Sequence, residues 1–208
     1  MEDVLDVYCL PYNPRFPVVC MDERPQQLIK GKRLNIPARA GQPMRQDYEY
    51  ERNGVANIFM LTEPLAGWRH VNVTERRTDK DFAYQIKELV DRHYPEAEKI
   101  RLVLDNLNIH KTGSLYETFT PEEARRLTRR LEIHYTPKHG SWLNIAEIEL
   151  SALAQQCLNR YIENRESLVR ETADWEHKRN ERQKGVDWQF TTKDARIKLK
   201  RLYPQIQT

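Results

Sequence analysis

The sequence predicts an α/β domain, a five-stranded mixed sheet with helices packed against it. Three observations carry that expectation. Ile100-Arg101-Leu102-Val103-Leu104 is a short apolar run closed by Asp105, the pattern of a strand buried on both faces. Extended segments alternate along the chain with segments of helical apolar spacing. The 208 residues, 39% of them hydrophobic, suffice for one core beneath a heavily charged surface.

In chain order, Pro11, Asn13, Pro14 and Pro17 make residues 1–16 an extended arm or linker. Residues 17–23 are a short apolar strand that ends in Asp22 and Glu23. Residues 24–47, rich in Arg, Gln, Lys, Gly and Pro without a period, read as a long loop. Lys30, Lys32 and Arg33 in that loop face solvent or a partner. Residues 55–61 and 68–73, β-branched and aromatic, flank a Pro64/Gly67 turn and predict a hairpin. Residues 78–93 are a helix with Phe82, Ile86, Leu89 and Val90 on one face; Thr78 and Asp81 cap it and Pro95 ends it.

The buried strand to Asp105 follows. Thr120-Pro121-Glu122-Glu123 then opens a second helix, whose Arg125, Arg126, Arg129 and Arg130 form a solvated face. Leu131-Glu132-Ile133-His134-Tyr135 alternates as a strand, and residues 136–141 are a loop. From Trp142 to about Tyr161 the pattern is helical, with Ala146, Leu150, Leu153, Cys157 and Tyr161 as a core stripe. Trp142 and the other tryptophans read as packing residues. Residues 166–183 form a polar helix and 194–202 a final one. The expected organisation is an arm at 1–16, a catalytic domain at 17–165 and a helical extension at 166–208.

Composition narrows the class. Cys9, Cys20 and Cys157 are odd in number and widely separated, so neither a disulfide framework nor a thiolate metal site is expected, and a reducing compartment fits. No apolar run approaches ~20 residues, which argues against a membrane span. Charged residues make up 31% of the chain but the formal net charge is only +3, so any basic surface must be local.

Three acids stand at comparable places: Asp22 and Asp105 end strands, and Glu147 opens the helix after the last strand. Carboxylates of this kind suit Mg²⁺, which keeps coordination positions open for phosphate oxygens and water. Glu149 competes with Glu147, because both flank the core stripe and periodicity does not choose between them. Glu23 competes with Asp22, although adjacent strand residues point to opposite faces. His110 is read either as a loop residue or as a contact to phosphate or water near the metals. Asn106 and Asn144 either orient the carboxylates or serve as local turn and cap residues.

The words around these acids are more specific. Val18-Val19-Cys20-Met21-Asp22-Glu23, Leu102-Val103-Leu104-Asp105-Asn106 with His110, and Tyr135 through Glu147 occur in that order. Together they resemble the DDE transposases of bacterial insertion sequences related to the Tc/mariner superfamily. The segment Trp188-Gln189-Phe190-Thr191-Thr192-Lys193-Asp194 resembles the close of such domains, and Asn144-x-x-Glu147 is the most distinctive word. Two features depart from the family pattern: Ile145 stands where many relatives carry proline, and the helix at 120–130 lengthens the interval between Asp105 and Glu147.

The resemblance implies an RNase H-like fold and metal-dependent DNA strand cleavage and transfer. It assigns Asp22, Asp105 and Glu147 as catalytic ligands of Mg²⁺ or Mn²⁺, with two ions expected. It places Lys138 and His139 in the loop that would meet DNA. The implied partners are transposon ends and target DNA, engaged by a homodimer or together with a separate end-recognition protein, in the bacterial cytoplasm at the nucleoid. The family pattern also implies an N-terminal helix-turn-helix module for end recognition, and that module is expected to be absent from this chain. Two other readings are another RNase H-like nuclease and a non-catalytic remnant that binds DNA or caps a partner.

Overall fold

A parallel pair at the centre of the sheet decides where the functional groups fall. In the computed structural model, described for residues 1–32, 39–43, 49–107, 109–138 and 140–203, five strands run in the order β3-β2-β1-β4-β5. They are β1 (Val18–Gly31), β2 (Tyr50–Glu63), β3 (Trp68–Thr74), β4 (Ile100–Leu104) and β5 (Leu131–Tyr135). β1 pairs antiparallel with β2 and parallel with β4; β2–β3 is the antiparallel hairpin, and β4–β5 is parallel. The expected five-stranded mixed sheet is present.

The period-2 alternation of β1 and β4 divides the molecule into two layers. Val18 and Cys20 of β1 and Val103 of β4 face one apolar cluster. That cluster also takes residues of α1 (Glu2–Tyr8), α5 (Ile145–Gln156) and α6 (Arg165–Glu181). Val19 and Met21, with Ile100, Leu102 and Leu104, face the other. Against that second face lie α2 (Asp79–Glu88), α3 (Gly113–Thr118) and α4 (Pro121–Arg129). α2 begins with the anticipated box, Thr78 accepting from the Asp81 N–H while Asp81 accepts from the Thr78 N–H. α7 (Thr192–Lys198) closes the chain against α1, where Arg196 grips Glu2 with two bonds of 2.8 Å.

Two expectations need correction. Residues 2–8 of the predicted arm are helical, and Val4, Leu5, Val7 and Tyr8 are buried in the core. Seven residues are too few for a periodic signal, so the nearby prolines dominated the reading. Residues 24–31 of the predicted loop continue β1, paired with the start of β2 as a largely exposed ribbon. Lys30 and Lys32 lie on that ribbon beside Glu163 and Glu49, at 3.3 and 4.0 Å; Arg33 lies outside the described residues. The helices expected after residue 165 are present as α6 and α7, and their Leu168, Trp175 and Ala195 belong to the main core.

Candidate metal and phosphate site

The last in-register pair between β1 and β4 is Cys20 with Val103. Asp22 and Asp105 each lie two residues beyond it, and Asp22 keeps the parity of that pair and lines the cleft beside α5. Neighbouring strands are only about 4.8 Å apart, and β4 ends at Leu104 while β1 runs on with β2. The two aspartates therefore stand where the parallel strands part, the place where ligands gather in open α/β sheets.

α5 faces them. Its N-cap, Asn144, is fully buried; Oδ1 accepts from the Ala146 N–H at 3.2 Å and Nδ2 donates to the Met21 carbonyl at 2.8 Å. One side chain thus starts the helix and ties it to β1 next to Asp22. Tyr8 of α1 adds a second tie, donating to the Leu143 carbonyl at 2.7 Å. Glu147, in the first turn, is exposed and lines an open cleft with Asp22, Arg24, Ser151 and Gln155.

Glu149 has a different role. It is buried, and it accepts from Arg69 at 3.0 Å and from Arg179 at 2.9 and 3.0 Å, joining α5 to β3 and α6. Glu23 likewise turns to the opposite face from Asp22, where its buried carboxylate meets His110 Nε2 at 3.0 Å and Arg77 at 3.6 Å. His110 is fully buried, and its Nδ1 lies 2.6 Å from Asp105 Oδ1. A direct phosphate contact is closed to a ring so placed; it bridges two carboxylates through the sheet end.

The electrostatics follow from these contacts. Burial, and then the charges of Glu23, Asp105 and Glu147, outweigh the Glu23 N–H bond and push Asp22 up to about 7. Burial of His110 opposes its charge, but the bonds to Asp105 and Glu23 prevail and hold it up at about 9. Burial alone would raise Asp105 too; the His110 bond and the Leu107 N–H reverse this and hold it below the usual carboxylate range. Asp22 uses Oδ1 to accept from Glu23 N–H at 2.8 Å, and Asp105 uses Oδ1 for both His110 and Leu107. Each aspartate has one oxygen anchored by the protein.

The remaining expected residues are placed as follows. Asn106 donates to the Thr136 carbonyl and so holds the loop after β5 against the end of β4. Lys138 is exposed in that loop, and His139 lies outside the described residues. Trp142 is 42% exposed with its edge on Phe190, so it is not the core residue expected. Arg126 spends its charge on Glu123 and Asp91. The Glu23–His110 link was missed because strand parity argues Glu23 away from the site; only its bulk position beside His110 in space reveals it.

Comparison with known proteins agrees with this geometry. The family described as DDE superfamily endonuclease matches residues 17–169. A search of curated proteins finds no match. Among solved structures, the Mos1 mariner paired end complex with Mn superposes with a TM-score of 0.52 at 17% identity, over 81% of this chain and 54% of that one. The Mos1 strand transfer complex gives 0.51 at 15% identity, over 83% and 56%. These likenesses establish an RNase H-like fold, and the chain spans about half the length of the structures it matches.

Proposed function

The chain belongs to the DDE superfamily endonucleases, and on that premise we propose that it is the catalytic domain of a DNA transposase. One observation carries the reading: Asp22 and Asp105 each lie two residues beyond Cys20 and Val103, the last parallel pair of β1 and β4, and Glu147 on α5 lines the same cleft as Asp22. The Asn144-x-x-Glu147 word favours the insertion-sequence branch of the Tc/mariner superfamily, acting on transposon ends and target DNA in the bacterial cytoplasm. Whether it works as a homodimer or with a separate end-recognition protein is part of the same test. No described helix is long and apolar enough to cross a membrane.

The donor set fits a hard divalent cation, Mg²⁺ or Mn²⁺, with two ions expected. Asp22, raised by burial and by three neighbouring carboxylates, is a site that lacks positive charge. Asp22, Asp105 and Glu147 would hold the ions. When bound, such ions stabilise the attacking and leaving oxygens of an in-line displacement at phosphorus. His110 keeps Asp105 ionised and fixes its Oδ1. Asp22 must give up its proton for the site to fill near neutral pH. Glu147, exposed on the opposite wall, is free to turn toward the aspartates. Lys138, on the loop after β5, would meet the DNA backbone.

The test is strand cleavage and joining of a labelled DNA duplex bearing the element's terminal repeat, with Mn²⁺ or Mg²⁺. Asp22→Asn, Asp105→Asn and Glu147→Gln should each abolish both steps. Cleavage without joining would favour an RNase H-like nuclease of another kind; binding without cleavage by the wild type would favour a non-catalytic remnant.

A further inference from the structure

A second set of ligating side chains lies at the outer edge of the sheet, sharing no residue with the acidic cleft. Among the described residues, His70, Glu88 and His93 form a group whose ligating atoms all fall within 4.8 Å of one another. His70 is on the edge strand β3, Glu88 ends α2, and His93 ends the turn that follows. Glu88 Oε1 lies 3.8 Å from His70 Nε2 and 3.8 Å from His93 Nε2, and the two rings are 4.4 Å apart.

Local structure brings these atoms together. In an α-helix residues five apart point about 140° away from each other. Here Leu89–His93 is a π-turn, with the Tyr94 N–H donating to the Leu89 carbonyl at 3.0 Å. The wider turn rotates His93 back over Glu88. Single π-turns of this kind collect at functional sites.

Proton accounting points the same way. Both Nε2 atoms are buried and have no hydrogen-bond partner. His70 Nδ1 sits 3.2 Å from Glu176 Oε1, and a carboxylate only accepts, so Nδ1 donates there and Nε2 is the ring nitrogen left to face Glu88 and His93. Glu176 is itself fixed by the Val71 N–H at 2.8 Å. A carboxylate behind an imidazole is the usual device that orients a metal-bound histidine. A simple histidine–glutamate ion pair explains less, because 3.8 Å is beyond hydrogen-bond range. Arg92, which donates to Glu88 Oε1 at 3.0 Å, is a competitor for that oxygen, but its side chain is 75% exposed and can swing away.

We propose that His70 Nε2, His93 Nε2 and Glu88 Oε1 bind a divalent transition ion of the zinc class, separate from the catalytic cations. Two imidazole nitrogens and one carboxylate oxygen are a zinc donor set, with the fourth position open to water. Mg²⁺ and Ca²⁺ prefer all-oxygen sites. Bonds of about 2.0–2.1 Å to a tetrahedral ion put ligand atoms roughly 3.3 Å apart, so the 3.8 Å spacings to Glu88 must shorten and the two Nε2 atoms, within 4.8 Å of each other, must draw together around the ion. The ion would staple β3 to the end of α2 and, through Glu176, to α6.

The full chain, stripped with a chelator, is titrated with Zn²⁺ by calorimetry and with Co²⁺ by visible absorption. We expect one Zn²⁺ per chain at micromolar affinity or better, unchanged by excess Mg²⁺ and retained in the Asp22→Asn/Glu147→Gln double variant. Trp68, whose ring is 4.9 Å from His93, should lose fluorescence when Co²⁺ binds. His70→Ala and His93→Ala should each weaken binding by about a hundredfold or more, and Glu176→Gln by about ten- to a hundredfold. Far-UV circular dichroism checks the variants; if one fails to fold, a tetrahedral, nitrogen-ligated Co²⁺ spectrum in the wild type decides. No binding below millimolar concentrations, a Co²⁺ spectrum without nitrogen ligation, or Zn²⁺ binding lost in the double variant but kept in His93→Ala, overturns the assignment.

Discussion

Asp22 and Asp105 are chemically similar residues with opposite electrostatic situations, and this makes the two amide substitutions distinguishable before any cleavage is measured. Asp22 is raised to about 7, so its folded form prefers the proton. Between the ordinary carboxylate value near 4 and 7, the native state holds more protons than the unfolded one, and stability falls as pH rises. Metal-free Asp22→Asn should therefore be more stable than wild type at pH 8, by about 1–3 kcal/mol, and should lack the wild type's decline between about pH 4 and 7. Asp105 is held low by His110, so its contribution is present above the unfolded value and is lost only in acid. Asp105→Asn should destabilise the metal-free protein at pH 7, since it breaks the bond to a buried imidazolium. His110, raised to about 9, stabilises fully below its unfolded value near 6.5, and that stability is lost as pH rises from there through 9. His110→Gln should flatten that upper window. Denaturant melts of the three variants in chelator across pH 4–9 check all of this; equal effects of the two aspartate substitutions would contradict the assignment of charges.

At the scale of elements, the pair Glu147 and Glu149 on α5 gives the sharpest separation of function from structure. Glu149 neutralises Arg69, which is 1% exposed, and Arg179. Glu149→Gln would leave a buried guanidinium without its counter-charge, and should cost roughly 3–5 kcal/mol in chemical denaturation. Glu147→Gln, at an exposed position, should stay within about 0.5 kcal/mol of wild type while strand cleavage is lost. The sequence places both glutamates beside the core stripe but leaves them undecided by periodicity, because Arg69 and Arg179 reach α5 from β3 and α6, far away in the chain. What could be read locally was read well: the capped start of α2, the hairpin and the buried β4 each announce themselves within a few residues. What depends on distant partners was not legible. Residues 24–31 lack an apolar face because their strand pairs as an exposed ribbon, with Leu28 its buried residue. Residues 2–8 show no helical period in seven positions, yet they fill the core beneath α5. Deleting them would remove Val4, Leu5, Val7 and Tyr8, side chains whose burial contributes about 1.5–3 kcal/mol each, and expose the core surface they cover. That sum approaches the whole stability of a domain, so the truncated chain should be unfolded by circular dichroism, where a true linker could be removed at no cost.

For the whole molecule, the balance of charge limits how it can hold DNA. Lysine and arginine exceed aspartate and glutamate by only three, and many of the cations are already matched. Lys87 and Arg126 face Asp91 and Glu123, Arg160 faces Glu171, and Arg196 faces Glu2 across the seam between the chain's two ends. Phosphate contacts position a protein on DNA, whereas sequence is read by groups that reach base edges. Arg24 lines the cleft and Lys138 is exposed on the loop after β5, and among the described residues neither forms an ion pair. If about three to five phosphates are neutralised, the logarithm of affinity should fall with the logarithm of salt at a slope near −3 to −4. Lys138→Ala should reduce that slope by about one and weaken every DNA sequence alike. The 208-residue chain alone should bind at about 10⁻⁴–10⁻⁶ M near physiological salt, with little difference between a terminal repeat and its scrambled counterpart. Titrations of both duplexes at two salt concentrations measure slope and preference together. A preference of about a hundredfold for the repeat approaches the scale of specific readout, and would mean that this chain presents an end-recognition surface of its own.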